Sequence, residues 1–494
     1  MRKVQELGLG PSPLQAGEGS NPSFGPTFTT TGWFGKGSGE SKGALTRVRE
    51  SRKPLRILQG VACLAFLLGE TLRAEPQEPS QAPALEREWQ DFDFRLTPAN
   101  GFQIRQADSA EPLLHLGGVF VTDFAQYDDR NSRDKGLRLD RAIVRVDGSY
   151  ENLDWRVAPD LRGIDTRGGL DEGWISYTPT SLFRVTAGLM EIPLTIENTI
   201  PEEELSFVGY AFPSYLDGRT DAALRLDGEI EAGLFSYDLA ATAGEGFTRL
   251  GERVSGTQLS ARGVLYPLRA VDLSLHSLGY EIPLLSGLFF AASYAHTPDF
   301  EGPLEVANPF RNKLFEVSRF EASDSDFLHL GYGADLGPFR AVHEFVRGGY
   351  RNIEGPAGDE TLDDQVTAWS LSLSWMVTGE AYDSRPFRLR DGNYRAAPKK
   401  PLFWFKERGL GALELAFRYS NGDIDRDFFD LLGFTDLTTS SQEFRTVSVV
   451  VNWYATANVR SSIQIVRTIA DQFPQAFDSH GRDTSVFLRL QYSF

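Results

Sequence analysis

The chain has 494 residues, 41% of them hydrophobic, with 50 Lys/Arg against 68 Asp/Glu and a net charge of −18. No run of eighteen apolar residues occurs, which excludes a membrane protein built of helices but not one built of half-apolar strands. The acidic balance argues against nucleic acid as a partner, while 48 Gly, 35 Phe and 16 Tyr against 3 Met fit a turn-rich β protein with aromatic belts.

The first element in chain order is the only helical-looking apolar run, Leu55 to Leu68. Arg47, Arg49, Arg52, Lys53 and Arg56 precede it and Leu72-Arg73-Ala74 follows. A basic segment, an apolar segment and a small residue in that order make a secretory signal. Residues 1–74 therefore read as a signal peptide with a spurious N-terminal extension, since the Gly, Ser, Pro and Thr-rich stretch 7–43 is foreign to a signal. Translation is expected to begin downstream, near Val48. An anchor helix is the alternative, and the run is short for one. Cys63, the sole cysteine, lies inside the apolar run instead of at its end, which argues against lipidation. Its removal leaves no disulfide, zinc–thiolate or cysteine-nucleophile chemistry. Residues 75–494 then carry 40 basic and 63 acidic side chains, a net charge of −23, and their positive charge is nearly all Arg. Acid-rich outer loops would face divalent cations and lipopolysaccharide.

Residues 75–100, rich in Pro, Glu and Gln, read as a flexible periplasmic lead-in without heptads. Residues 101–494 read as the barrel domain. Alternating runs predict sixteen strands, at 114–126, 137–150, 152–162, 170–179, 182–190, 219–229, 233–243, 256–267, 286–297, 326–336, 339–348, 364–377, 409–420, 444–455, 458–468 and 484–494. A further run, 271–281, is placed in an elaborated turn. Tight joins such as Pro179–Leu182 and Gly337-Pro338 fall after even strands, with 378–408 the exception. Long joins at 191–218, 298–325, 349–363, 421–443 and 469–483 fall on the other side, as transmembrane barrels prefer. In the last strand Val486, Leu488, Leu490, Tyr492 and Phe494 share one phase; Phe487, Arg489, Gln491 and Ser493 share the other. A half-buried edge strand of a soluble sheet would alternate similarly. A strand that is apolar on one side, polar on the other and ends on an aromatic residue suits the closing strand of an all-β, sixteen-stranded antiparallel transmembrane barrel. Tyr492 and Phe494 would then be the assembly signal read by the barrel-assembly machinery.

Several stretches carry a resemblance. They are Gly188-Leu-Met-Glu-Ile-Pro193-Leu-Thr-Ile-Glu197, Gly337-Pro338-Phe339 with Glu344-Phe345, Thr378-Gly379-Glu380, Gly411 to Ser420, Asn452-Trp453-Tyr454 and Leu488 to Phe494. Their order and spacing are similar to the phosphate-selective porin O/P family, over roughly 100–494. The resemblance implies an outer-membrane porin, usually a homotrimer, whose third outer loop folds inward as the constriction. Some residues depart from the pattern. Glu191 stands where a basic residue is usual, Phe207-Val208-Gly209-Tyr210 replaces a Glu-Arg pair, and Asp140-Arg141-Ala142-Ile143 keeps one of three arginines. Phosphate selectivity is thereby weakened as an expectation.

Sorting strands by phase assigns Arg141, Arg145, Arg156, Arg162, Arg225, Arg262, Arg340, Arg418, Arg460 and Arg489 to the lumen. Asp123, Asp147, Asp160, Glu172, Asp221, Asp227, Glu344 and Glu414 share that phase. Arg suits weak, repeated contacts with anions; the plainer alternative is pairing across strands. The constriction-loop candidates are Glu191, Glu197, Glu202, Glu203 and Glu204, with Asp217 and, at the exit, Arg219. Facing the aperture, these carboxylates would repel anions; facing the wall arginines, they would be neutralised and selectivity would be weak.

Other motifs weigh little. Gly39-Glu40-Ser41-Lys42-Gly43 resembles a nucleophile elbow but lacks a preceding strand. The six His show no metal-ligand spacing, and Asp423-Ile-Asp425-Arg-Asp427 lacks the Gly and Glu of a calcium loop. No cofactor or metal is expected. The expected activity is passive diffusion of small hydrophilic solutes through the outer membrane, at most weakly anion-selective, amid outer-membrane lipids. A phosphate- or polyphosphate-selective porin is the alternative. A barrel enzyme, needing a Ser–His or Asp–His pair at the rim or outer face, and an adhesive or structural barrel are remoter ones.

Overall fold

A computed structural model describes residues 92–97, 101–106, 112–127, 136–162, 169–216, 220–230, 233–243, 256–277, 287–308, 313–354, 361–382, 409–425, 440–471 and 482–494. Two short strands come first, β1 (Phe92–Thr97) and β2 (Gly101–Gln106). Then follow β3 (Pro112–Tyr127), β4 (Gly136–Tyr150), β5 (Leu153–Pro159), β6 (Leu170–Thr180), β7 (Phe183–Glu191), β8 (Thr220–Ile230), β9 (Phe235–Thr242) and β10 (Gln258–Leu265). A helix, α1 (Arg269–Ser277), precedes β11 (Leu288–Ala307), β12 (Lys313–Leu336), β13 (Phe339–Glu354), β14 (Thr361–Met376) and β15 (Ala412–Ile424). The chain closes with β16 (Glu443–Tyr454), β17 (Val459–Ala470) and β18 (Arg482–Ser493).

Each strand from β3 to β18 pairs antiparallel with its chain neighbour, and β18 returns to β3. The result is a closed sixteen-stranded barrel. Closure leaves no strand edge, so the strands' backbone polar groups pair within the wall. One phase of each strand projects outward and is apolar: Phe120, Leu224, Leu330, Trp375, Ile463 and Leu490 are among its exposed side chains. The other phase is polar and buried, including Asp123, Glu344, Glu414, Arg418, Gln464 and Arg489. At about 25 cal/mol per Å² of apolar surface, such a belt is stable in lipid and unstable in water. The barrel is a transmembrane one.

All sixteen predicted strands lie where period-two alternation puts them, and 271–281 overlaps α1 in the β10–β11 join. Two expectations are corrected. The lead-in 75–100 ends in a strand, β1, because Phe92, Phe94 and Leu96 alternate with polar residues and pair with β2. The join 298–325 is largely strand: β11 and β12 extend to Ala307 and from Lys313, leaving a short tip. The alternation there is interrupted at Asp299, whose φ of 47° kinks the strand and reverses the phase.

The seam has a particular construction. β18 occupies β3 from Val119 to Tyr127, and Gly118 and Phe494 exchange backbone hydrogen bonds at 2.9 and 3.0 Å. Just beyond, β2 takes the same edge, pairing Phe102 with Leu116 and Ile104 with Leu114. The junction is tight enough to require glycine. A Cβ on Gly101 would sit 2.1 Å from the Leu116 carbonyl, and one on Gly117 would sit 2.6 Å from that of Phe494.

Candidate functional site: the charged lumen and its loop

Segment 192–216 follows β7 and holds three short 3-10 turns, Glu197–Thr199, Glu202–Glu204 and Phe212–Tyr215. Its apolar side chains Ile192, Leu194, Ile196, Phe207 and Phe212 are buried. Its backbone is held by the inner face of the wall. Ile196 N donates to Glu344, and Val208 N donates to Gln464 at 2.6 Å. Phe212 N donates to Ser420 at 3.1 Å, and the Leu194 carbonyl accepts from Ser293 at 2.7 Å. Ser206 Oγ donates to Glu414 at 2.7 Å while its carbonyl accepts from Asn452. The segment thus touches β11, β13, β15, β16 and β17 from within.

Its carboxylates meet the wall arginines. Arg141 pairs with Glu202 and, at 3.5 Å, with Glu203; Arg145 also pairs with Glu203. Burial would raise the Glu203 carboxyl, but Arg145 and Arg141 beside it overcome that and hold it at about 2. Glu197 accepts from Arg418 at 2.9 Å and from Ala211 N at 2.6 Å. There burial wins: together with the nearby Glu344 it raises Glu197 against the pull of Arg418. Glu204 is buried beside Arg460 and Gln491 in a small crevice. Glu191 is the last residue of β7, and its carbonyl lies 3.5 Å from Arg225. Asp217 and Arg219 lie outside the described residues.

The remaining arginines that strand phase assigned to the lumen are engaged as follows. Arg489 forms a two-pronged pair with Asp123 at 2.7 Å and reaches Asp140 at 2.8 Å. Arg340 binds Asp335 and lies over the Tyr382 ring at 4.4 Å. Arg225 is 3.2 Å from Asp227 and 3.8 Å from Asp238. Arg162 holds Asp160 in its own turn, and Arg460 donates to the Leu205 carbonyl at 2.7 Å. Arg156 links Asp147 at 2.6 Å with Glu172 at 3.1 Å and covers Trp174. Arg262 stands opposite Asp238 in the register, with Nε and Nη2 buried and bonded to nothing among the described residues.

Strict alternation misses several members. Asp140 and Arg141 are adjacent yet both turn inward, because a β-bulge opposite Val121/Thr122 inserts a residue. A second bulge, opposite Ala158/Pro159, brings Asp171 beside Arg141 and Arg145 along with inward Glu172. Consecutive charges in a strand were the available signal. Arg138, Arg184 and Asp238 also belong to the lumen network.

Two histidines meet aspartates. His115 lies 3.3 Å from Asp147. The six His lacked metal-ligand spacing in the sequence, yet His296 joins Asp324 and Asp326, with ligand atoms within 4.8 Å of one another, because the β11–β12 register sets His296 opposite Asp326. Arg351 pairs with both aspartates, and Tyr294 and His296 reach the other oxygen of Asp326.

No protein-family model matches the chain, and no curated protein does. Solved structures resemble it in fold. The outer membrane channel DcaP of Acinetobacter baumannii aligns at 10% identity and TM-score 0.47, over 77% of this chain and 97% of that one. An anion-selective porin from Comamonas acidovorans aligns at 10% identity and TM-score 0.45, over 77% and 99%. OmpT, an outer membrane protein of Vibrio cholerae, gives 10% identity and TM-score 0.46, over 77% and 97%.

Proposed function

We propose that the protein is a passive outer-membrane diffusion channel for small hydrophilic solutes, at most weakly anion-selective. The observation that carries this reading is the pairing of Glu202 and Glu203 with Arg141 and Arg145, and of Glu197 with Arg418. A loop carboxylate bound to a wall guanidinium neither repels anions nor leaves that guanidinium free to attract them. The apolar belt supports a membrane location. The signal pattern before Glu75 and the terminal Tyr492 and Phe494 support export and insertion by the barrel-assembly machinery. Membership of the phosphate-selective porin O/P family and a homotrimeric state belong to the same proposal, on the motifs quoted above.

Phosphate selectivity is the second reading, and the family motifs quoted above together with the arginines of the polar strand phase are what favour it. Planar-bilayer recordings separate the two. A zero-current potential close to zero in a KCl gradient, with no preference for phosphate over chloride, is expected. Strong phosphate preference would establish the second reading, and absence of any channel would remove both.

A further inference from the structure

β11 and β12 do not end where the neighbouring strands do. Beyond the kink at Asp299 their hairpin turns over the barrel mouth. Leu304, Phe315 and Phe320 are buried in one apolar cluster with Phe212 of the loop and with Ile424 and Phe444 of the wall. At the tip, Asn308 donates to Thr468 of β17 at 3.3 Å, and the Leu314 carbonyl accepts from Ser441 N at 2.7 Å. The hairpin therefore reaches from β11–β12 across β13–β16 to β17, over strands that segment 192–216 also touches.

Water access differs between the strands under this cover and the inner wall beside the β4–β5 turn. Glu414, Ser448 and Gln464, on the covered side, have no exposed surface. Near the turn that joins β4 and β5 several inner side chains stay wet: His115 and Asp147 are 25% exposed, Arg156 32% and Glu172 19%, while Asp123 and Asp140, closer to β18, are buried. The four wet side chains form a ladder across adjacent strands, with Arg156 between two carboxylates.

We propose that the β11–β12 hairpin is a roof that, with segment 192–216, seals the β13–β18 side, and that solutes cross along the inner face of β4–β6, past His115, Asp147, Arg156 and Glu172. This rests on the channel reading. A passing carboxylate or phosphate can exchange for the contacts of Arg156, and a passing ammonium for those of Asp147 or Glu172. The route suits small solutes of either sign, zwitterions included, through weak and repeated contacts.

Cysteine accessibility tests it, with Cys63→Ser as background. Glu172→Cys and Ser149→Cys mark the route; Ser448→Cys and Thr468→Cys mark the sealed side. Ser149→Cys duplicates the route probe because Glu172→Cys breaks the pair with Arg156, and heat-modifiable mobility identifies folded variants. A charged methanethiosulfonate reagent should lower single-channel conductance roughly twofold in the route variants and leave the sealed-side variants unchanged. A fall at Ser448→Cys or Thr468→Cys overturns the seal, and no fall at either route position overturns the route. A chain that forms no channel at all overturns the functional reading instead.

Discussion

Arg489 and its partners show what a charge must do inside this wall. The guanidinium is 3% exposed and Asp123 has no exposed surface, so neither can be hydrated. Each is tolerated because the other supplies its hydrogen bonds. Arg489→Ala should therefore cost about 3–5 kcal/mol by taking from the buried Asp123 and Asp140 the guanidinium that donates to both. The expected result is loss of heat-modifiable barrel at growth temperature, partly restored by adding Asp123→Asn. Full stability of Arg489→Ala would show that the pair is not holding the seam. Glu203 makes the matching case for the loop. Its folded value, about 2, lies below the ordinary 4.5, so its contribution is present above pH 4.5 and drains away as pH falls through 2. The shift corresponds to stability on the order of 3 kcal/mol. Thermal unfolding followed from neutral pH down to about pH 2 should fall less steeply for Glu203→Gln than for the natural chain. Identical slopes would contradict the assignment.

At the scale of elements, the strands were legible because each has one lipid-facing and one inner phase, a pattern that period two exposes directly. The candidate pore-lining arginines were named on the same alternation. Their partners were not. Glu202 and Glu203 lie about sixty residues beyond Arg141 and Arg145, in an irregular segment without periodicity. The roof was hidden by its kink: alternation breaks at Asp299, and everything beyond it looked like loop. Asp140 and Asp171 were hidden by bulges, which shift phase by one residue. The last strand yields a direct test. Phe494 stacks with Phe120 and Tyr492 at 6.0 and 5.7 Å, forming a small aromatic group at the end of the wall. Deleting Phe494 should remove both ring contacts and the hydrogen bonds to Gly118, leaving exported chain unassembled and degraded. Undiminished folded barrel in the outer membrane would count against its role.

For the whole molecule, net charge is a poor guide to permeation. The chain is strongly acidic, yet within the lumen most charges are matched, and paired charges leave little field in the aperture. Releasing the loop should therefore reveal the wall beneath. Glu202→Gln with Glu203→Gln frees Arg141 and Arg145 together, and the zero-current potential should move toward anions. No movement would mean that these arginines lie off the permeation path or find other partners.

The butt joint between β2 and β18 on the edge of β3 bears on how the cylinder comes to have one size. Sliding the last strand by two residues along the first keeps every side chain on its proper face, so inside–outside alternation cannot choose among such closures. Each slide would alter the stagger of the strands and with it the tilt and bore of the cylinder. The N-terminal hairpin acts as an end stop. With Phe102–Arg105 already on Leu116–Pro112, Phe494 can advance no further than Gly118. A chain lacking 92–106 should close in a mixture of staggers. Cysteines placed at Leu490 and Thr122, opposite each other in the natural closure, would then cross-link incompletely.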